Sequence, residues 1–365
     1  MTDLLAPLQS LKAGNWFKLI CGASYQHLPA VRSLTLAYTL AGADCIDVAA
    51  DPAVIAAAQE GLQVAKSLVK DAKQRGYGYQ GNIPFLMVSL NDGEDPHFRK
   101  AEFNSSECPA DCPRPCETIC PAQAIVFNSS SEFSGVEWEK CYGCGRCIPI
   151  CPYSKIYTKS YISSGTAIAP LVISRVVDAL EIHTKVGNLA EFQQLWQTIS
   201  PWADQLQVVA ISCPDGEGII DYLRKITEII TPLSGSLIWQ TDGRPMSGDI
   251  GDGTTLATVK LGQKVLTANL PGYVQLAGGT NSYTVAKLKA MGLLKSLNSA
   301  HVSGIAYGSY ARVLLSPVLE QLENQEVSQT SVKAKPRLEE EPELLWRAVK
   351  LAHSLVSQIK SQQEL

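Results

Sequence analysis

From Leu206 to Gln240 the chain reads LQVVAISCPDGEGIIDYLRKITEIITPLSGSLIWQ. Leu206–Ser212 is a short apolar run that predicts a buried strand. Ile219–Ile230 follows a helical pattern, and Ser236–Gln240 is a second short apolar run. Strand, helix and strand in that order make one β/α unit, whose two strands must be parallel because the helix carries the chain back. The alternation continues in both directions. Towards the C-terminus, Gly272–Leu276 and His301–Ala306 read as strands, with helices near Thr254–Leu266, Tyr283–Leu294 and Tyr307–Leu322. Towards the N-terminus, Phe17–Cys21, Ala43–Ala49, Ile83–Leu90 and Asp178–His183 read as strands, with helices at Leu28–Leu40, Asp51–Lys73 and Asn188–Trp202. Asp51-Pro52 suits a helix start, with Asp as N-cap and Pro at the first helical position.

These are eight β/α units. One segment, roughly residues 99–160, does not belong to the pattern. Without it about 260 residues remain, close to the roughly 250 of a (β/α)8 barrel. The expected fold class is therefore α/β: a (β/α)8 barrel-like core formed by residues 1–98 and 161–323, with residues 99–160 inserted after the third strand. An open doubly wound sheet is the alternative. The loop after the first strand, CGAS, lacks the G-x-G-x-x-G fingerprint of a dinucleotide fold.

Composition excludes several classes. The chain has 365 residues, of which 45% are hydrophobic and 18% charged, enough apolar material for one large or two ordinary cores. A formal net charge of −4 gives no electrostatic reason to expect a nucleic-acid partner. No stretch reaches the roughly 18 uninterrupted apolar residues of a transmembrane helix. The N-terminus, MTDLLAPLQSLKAGNW, lacks the pattern of a secretion signal, so the expected location is cytoplasmic.

Eight of the eleven cysteines lie between Cys108 and Cys151. An odd count without a secretion signal argues against a disulfide framework and for metal or cluster binding. Cys141-Tyr-Gly-Cys144-Gly-Arg-Cys147-Ile-Pro-Ile-Cys151-Pro152 is the C-x2-C-x2-C-x3-C-P run of a bacterial [4Fe–4S] ferredoxin, whose fourth cysteine ligates the other cluster. Gly143 and Gly145 permit the tight turns this wrapping needs. A second set stands upstream: Cys108-Pro-Ala-Asp-Cys112-Pro-Arg-Pro-Cys116-Glu-Thr-Ile-Cys120-Pro121, with three-residue gaps throughout. The expected partition is crossed. Cys108, Cys112, Cys116 and Cys151 hold one cluster, and Cys120, Cys141, Cys144 and Cys147 the other. Two four-cysteine zinc sites are the alternative, but they require neither the third cysteine at the next x2 step nor the paired C-P endings. Ala122–Phe127 and Val136–Trp138 are expected to pair as short antiparallel strands. Arg114, Lys140, Arg146 and Lys155 either offset the negative clusters or are ordinary surface charges.

Loops after barrel strands open on the C-terminal face, where barrel sites lie. Gly278, Gly279 and Thr280 after the seventh strand could cradle a phosphate or carboxylate, with Arg312 as counter-charge, or could simply form a turn and helix cap. Asp242 and Arg244 after the sixth strand would join that mouth, or close a polar loop. Lys18 lies inside an apolar strand and is expected to pair with Asp47. Cys21, Cys45 and Cys213 read as buried small apolar residues. Asn324–Glu343 reads as a flexible linker, and residues 344–365 as a helix with an apolar stripe of Leu345, Val349, Ala352, Val356 and Ile359. That helix either packs back on the barrel or binds a partner from a tether.

CPADCPRPCETICP, CYGCGRCIPICPYSKI, the opening FKLICGASYQHLP and the ending GIAYGSYAR together resemble the cyanobacterial light-dependent period family, across essentially the whole chain. The resemblance implies an iron–sulfur protein of circadian-clock input, one that relates cellular redox state, set by light, to clock period. It also implies clock proteins and histidine kinases as partners. Two functions follow. The first is a redox sensor, which the resemblance favours. The second is an iron–sulfur oxidoreductase passing electrons between its clusters and a flavin or quinone at the barrel mouth.

Overall fold

The computed structural model describes residues 5–21, 28–93, 99–120, 122–127, 134–138, 140–141, 143, 145–160, 165–244, 251, 253–295, 300–328 and 337–361. Eight strands form a closed, all-parallel barrel: β1 (Trp16–Ile20), β2 (Cys45–Ala49), β3 (Phe85–Asn91), β8 (Ala179–His183), β9 (Val208–Pro214), β10 (Ser236–Asp242), β11 (Tyr273–Ala277) and β12 (Gly304–Tyr307). Between β3 and β8 lie two small antiparallel pairs. One joins β4 (Arg99–Glu102) to β7 (Tyr157–Ser160), and the other joins β5 (Ile125–Phe127) to β6 (Ser134–Val136). The open-sheet alternative is excluded, because β1 pairs with both β12 and β2 and closes the ring.

Local chemistry explains the outer helices. Asp51 caps α3 (Pro52–Ser67) by accepting from the Ala53 and Val54 N–H groups, with Pro52 at the first position. The segment expected to be helical from Asp51 to Lys73 breaks at Leu68 and restarts as α4 (Val69–Gln74). The other outer helices are α2 (Leu28–Ala41), α7 (Gly165–Ile173), α8 (Leu189–Ile199), α9 (Ile219–Ile230), α10 (Thr255–Thr267), α11 (Thr284–Ala290) and α12 (Ser309–Ser328). A short N-terminal helix, α1 (Ala6–Ala13), closes the barrel floor. Its Leu11 is buried against Trp16, Cys45, Phe85, Met87, Ala179, Val208, Ala210 and Ile238 from the strands.

The expected linker at Asn324–Glu343 needs correction. The helix α12 runs on to Ser328, and Leu338 is fully buried beside a bidentate contact between Arg32 of α2 and Glu339. Residues 329–336 lie outside the described set. The last helix, α13 (Pro342–Lys360), packs on α2 and α12 with Leu345, Val349, Ala352, Val356 and Ile359 all buried. Trp346 stacks on Tyr77 at 5.9 Å, and Lys360 pairs with Asp44 at 2.6 Å. The stripe is therefore part of the main core, an added outer layer on the barrel and not the free end of a tether.

Candidate iron–sulfur centre

The cysteine segment leaves the barrel after β3 and returns before β8. Its two halves repeat each other. Cys116 lies in the short helix α5 (Pro115–Ile119), and Cys147 opens α6 (Cys147–Ile150). Two residues before each, the backbone is left-handed: Arg114 has φ 52° and Gly145 φ 72°. Three residues after each C-P cysteine it is left-handed again, at Gln123 and Ser154, both with φ 50°. That turn aims the next N–H back at sulfur. Ala124 N–H donates to Cys120 Sγ at 3.2 Å, and Lys155 N–H donates to Cys151 Sγ at 3.4 Å. Gly143, at φ 77°, supplies the tight turn its residue type predicted.

Cys120, Cys141 and Cys147 line one small pocket, together with Gly145, Arg146, Ala101 and Ala124. Cys144 lies outside the described residues. Cys108 instead lies beside Cys112 and near Cys151, and Cys116 lies near Cys108 and Cys151. Burial, a hydrogen bond with Cys112 and the charges of Cys112 and Cys151 all raise Cys108, and burial with nearby Cys151 and Cys108 raises Cys116. Cys151 differs. Burial opposes its thiolate, but the N–H groups of Lys155, Tyr153, Ile156 and Ser154 outweigh that and hold its pKa below the ordinary thiol value. Three cysteines around one pocket, one of them, Cys120, accepting a backbone N–H bond, suit a cluster ligand set. Among the described residues, no three His, Cys, Asp or Glu side chains are gathered closely enough to hold a single metal ion. A cubane spreads its thiolates over four corners.

The four nearby cations divide. Lys140 pairs with Glu137 and Lys155 with Glu107, both as ordinary surface pairs, and Arg114 lies over the Phe127 ring at 4.4 Å. Arg146 alone of the four lines the cavity. The expected strand pair forms with shifted bounds, Ile125↔Val136 to Phe127↔Ser134; Glu137 N–H still donates to the Ala124 carbonyl at 2.7 Å, and the Glu137 carbonyl accepts from Cys141 N–H at 3.1 Å.

Lys100 was not legible as important. It is buried, pairs with Asp51 at 2.5 Å, and donates to the Trp138 carbonyl at 2.6 Å. Ala122, next but one to Cys120, packs against both the module core and the barrel core.

Inside the barrel, Lys18 pairs with Asp47 at 2.9 Å, as its position in β1 predicted. It also contacts Glu181 and donates to Gln240 Oε1 at 2.9 Å. Burial lowers its pKa, but the two carboxylates outweigh that and raise it. Gln240 donates to Glu181 and Ser212, Gln275 donates to Gln240, and Trp16 Nε1 donates to Gln275. His183 Nε2 lies 3.1 Å from Glu181 Oε1, which carries the network to the mouth. Glu181 was missed although it gives the signal Lys18 gives, a charge inside an apolar strand.

The residues expected at the mouth fall into separate contacts. Asp242, Arg244 and Gly278 meet: Arg244 N–H donates to the Gly278 carbonyl at 2.9 Å, and a Cβ on Gly278 would collide with Asp242. Gly279 has φ 98° and its carbonyl accepts from Thr254 Oγ1 at 2.9 Å, while Thr280 donates to the Ala306 carbonyl at 2.7 Å. Arg312 donates to the Ile20 carbonyl at 3.0 Å and to Ser309. The glycine turn is thus closed on the start of α10, and Arg312 is spent on β1. Cys21, Cys45 and Cys213 are buried, as expected of small apolar residues.

Residues 108–162 match the model of the iron–sulfur cluster-binding domain of light-dependent period A, and residues 171–358 match its C-terminal domain. A curated relative, light dependent period A of Synechococcus elongatus, is 50% identical over 354 residues, covering 97% of this chain and 94% of the relative. The chain belongs to the light-dependent period A family. An iron–sulfur cluster-binding domain is accordingly present in this family member, in the segment whose cysteines are described above. Among solved structures, the chain is similar to a tryptophan synthase from M. tuberculosis, at 12% identity and TM-score 0.43 over 98% of both chains. It is also similar to the tryptophan synthase alpha chain of Legionella pneumophila, at 10% identity and TM-score 0.43 over the whole of both. Neither likeness bears on the chemistry of this light-dependent period protein. Among the described residues no helix is long and apolar enough to cross a membrane.

Proposed function

We propose that the segment from residue 99 to residue 160 is a ferredoxin-like module holding two [4Fe–4S] clusters, and that the protein senses redox state through them. The sensed state is the light-dependent one of the cell, and the output is contact with clock proteins and histidine kinases. The observation that supports this most is the grouping of the sulfurs. Cys120 shares a cavity with Cys141 and Cys147, while Cys151 lies near Cys108 and Cys116, and Cys108 lies beside Cys112. That is the crossed partition of a two-cluster module. Bound there, the clusters would supply one-electron chemistry. The chain's own part is to hold the thiolates, donate N–H bonds to Cys120 and Cys151, and seat the module on the barrel.

The test is protein purified without oxygen. Four iron and four sulfide per cluster set the expectation at about eight of each per chain. About two zinc without sulfide would overturn it. For the clock role, binding to clock proteins is measured with oxidised and dithionite-reduced protein, and equal affinity in both states would remove the sensor reading.

The second reading is an oxidoreductase with a flavin or quinone at the barrel mouth. What favours it is the polar chain from Lys18 through Glu181 to His183, unusual in a barrel interior that branched apolar residues normally fill. A flavin absorption band in the purified protein would support it over the sensor.

A further inference from the structure

The two cluster sites differ in where they face. The one lined by Cys120, Cys141 and Cys147 is also lined by Ala101, whose neighbour Lys100 reaches the barrel rim, and by Ala122, which touches the barrel core. Each site has partly exposed cysteines, Cys120 in this one and Cys108 and Cys151 in the other, so contact with the barrel is what tells them apart. One cluster is inner and one outer.

Lys100 joins the inner site to the barrel through two contacts. Its ammonium donates to the carbonyl of Trp138, three residues before Cys141, and lies 6.0 Å from the centre of the Trp138 ring. The same ammonium pairs with Asp51, a buried carboxylate that caps α3 through the Ala53 and Val54 N–H groups. A buried charge pair responds to a change of charge nearby, because little solvent screens it. From Asp51 the structure is continuous: α3 packs on α2, and α2 packs on α13.

We propose that the inner cluster is the reporting cluster and that Lys100 is the positioning residue that couples it to the barrel. The proposal rests on the two-cluster reading above. The step is the addition of one electron to the inner cluster from a low-potential one-electron donor. No bond is made or broken, and the cluster gains one negative charge. That charge draws on Lys100 in competition with Asp51, so the grip of Asp51 on the first turn of α3 changes with redox state.

The test uses full-length protein, prepared anaerobically, in four forms: wild type, Lys100→Met, Lys100→Arg and Asp51→Asn. Dithionite titration followed by electron paramagnetic resonance reads each cluster, and hydrogen exchange reads residues 52–67. Lys100→Met removes a positive charge and leaves Asp51, so the inner cluster should become harder to reduce. A tenfold fall in its reduced-to-oxidised ratio at fixed potential is about 59 mV for a one-electron couple. Asp51→Asn leaves Lys100 uncompensated, so the same cluster should become easier to reduce. Lys100→Arg should stay near wild type, and the outer cluster should stay put in all four. Wild type should show redox-dependent exchange in α3, and Lys100→Met should not. A merely structural role moves both variants in one direction, so shifts of the same sign, or none, overturn the proposal. Unchanged α3 exchange in wild type also overturns it. If Lys100→Met does not fold, the sign of the Asp51→Asn shift decides. Fewer than about eight irons in wild type would instead be a failure of the two-cluster reading, separable from this one by the iron count.

Discussion

Gln123 and Ser154 stand in the same conformation, φ 50°, each three residues beyond a cysteine that is followed by proline. The left-handed region costs an ordinary residue about 1–2 kcal/mol. Here it buys the N–H bonds from Ala124 to Cys120 and from Lys155 to Cys151. The module therefore holds two copies of one turn, each aiming a backbone N–H at a cysteine sulfur; in the crossed partition proposed above, each turn would deliver its cysteine to the other copy's site.

Crossing makes a sharp prediction. Cys120→Ser should remove the spectroscopic signal of the cluster bound by Cys141 and Cys147 and leave the other. Cys151→Ser should do the reverse. Iron should fall by about four per chain in each variant. If Cys120→Ser instead removes the signal lost in Cys116→Ser, the partition is uncrossed.

Lys18 holds two buried carboxylates, Asp47 and Glu181. Breaking a buried ion pair from one side costs about 3–5 kcal/mol, because the partner is left charged and unpaired. Lys18→Met should therefore lower the urea-unfolding free energy by about that amount at pH 8, and by less at pH 5, where the carboxylates can take up protons. The combined variant Lys18→Met, Asp47→Asn, Glu181→Gln should recover most of the loss. A single variant as stable as wild type would show that water reaches the pair.

Asp242 is half-buried at the end of β10, and its desolvation pushes its pKa from 3.8 up to about 6, against the opposing charge of His183. A raised carboxylate favours the folded state while protonated. That contribution is full below pH 3.8 and is lost as pH rises through 6. Asp242→Asn should accordingly stabilise the protein by about 2 kcal/mol at pH 8 and by little near pH 4. Chemical denaturation at the two pH values measures this. Equal effects at both would mean that the carboxylate is solvated.

Glu102 faces Tyr157 in the antiparallel pair of β4 and β7. Facing residues in such a pair have Cα atoms about 5 Å apart, so a short Gly/Ser bridge can replace residues 103–156 without straining the barrel. The shortened chain should keep the far-UV circular dichroism of an α/β protein and lose its iron. Its stability should fall only modestly, since the barrel core is a separate cluster from the module core. An unfolded product would mean that the clusters contribute the folding energy of the whole chain.

Buried Leu355 measures how firmly α13 is held. Leu355→Ala should cost about 2–5 kcal/mol, the range for a leucine truncated in a packed core. A loss below about 1 kcal/mol would show that the helix is only loosely docked.

Much of this molecule is local and so was open to reading in order. The alternation of Leu206–Ser212, Ile219–Ile230 and Ser236–Gln240 sets a parallel β/α architecture, because a strand buried on both faces must be apolar along its length and a helix must return the chain. The cysteine spacings name the ligand chemistry, because a loop can wrap a cluster only at certain gaps. Lys18 also declared itself, as a charge where apolar residues belong. What the line of residues could not settle was everything decided between distant segments. Ring closure depends on β1 meeting β12. The fate of residues 344–359 depended on whether α2 offered a face, and the contact of Arg32 with Glu339 spans 307 positions. Lys100 looked like any surface lysine until folding set it beside Asp51, and nothing in the order of residues showed that Thr254 and Thr258 would meet the carbonyls of the loop after β11. Burial and partnership are set by the three-dimensional neighbourhood. Only the folded chain brings the module's lysine and the barrel's aspartate within 2.5 Å of each other.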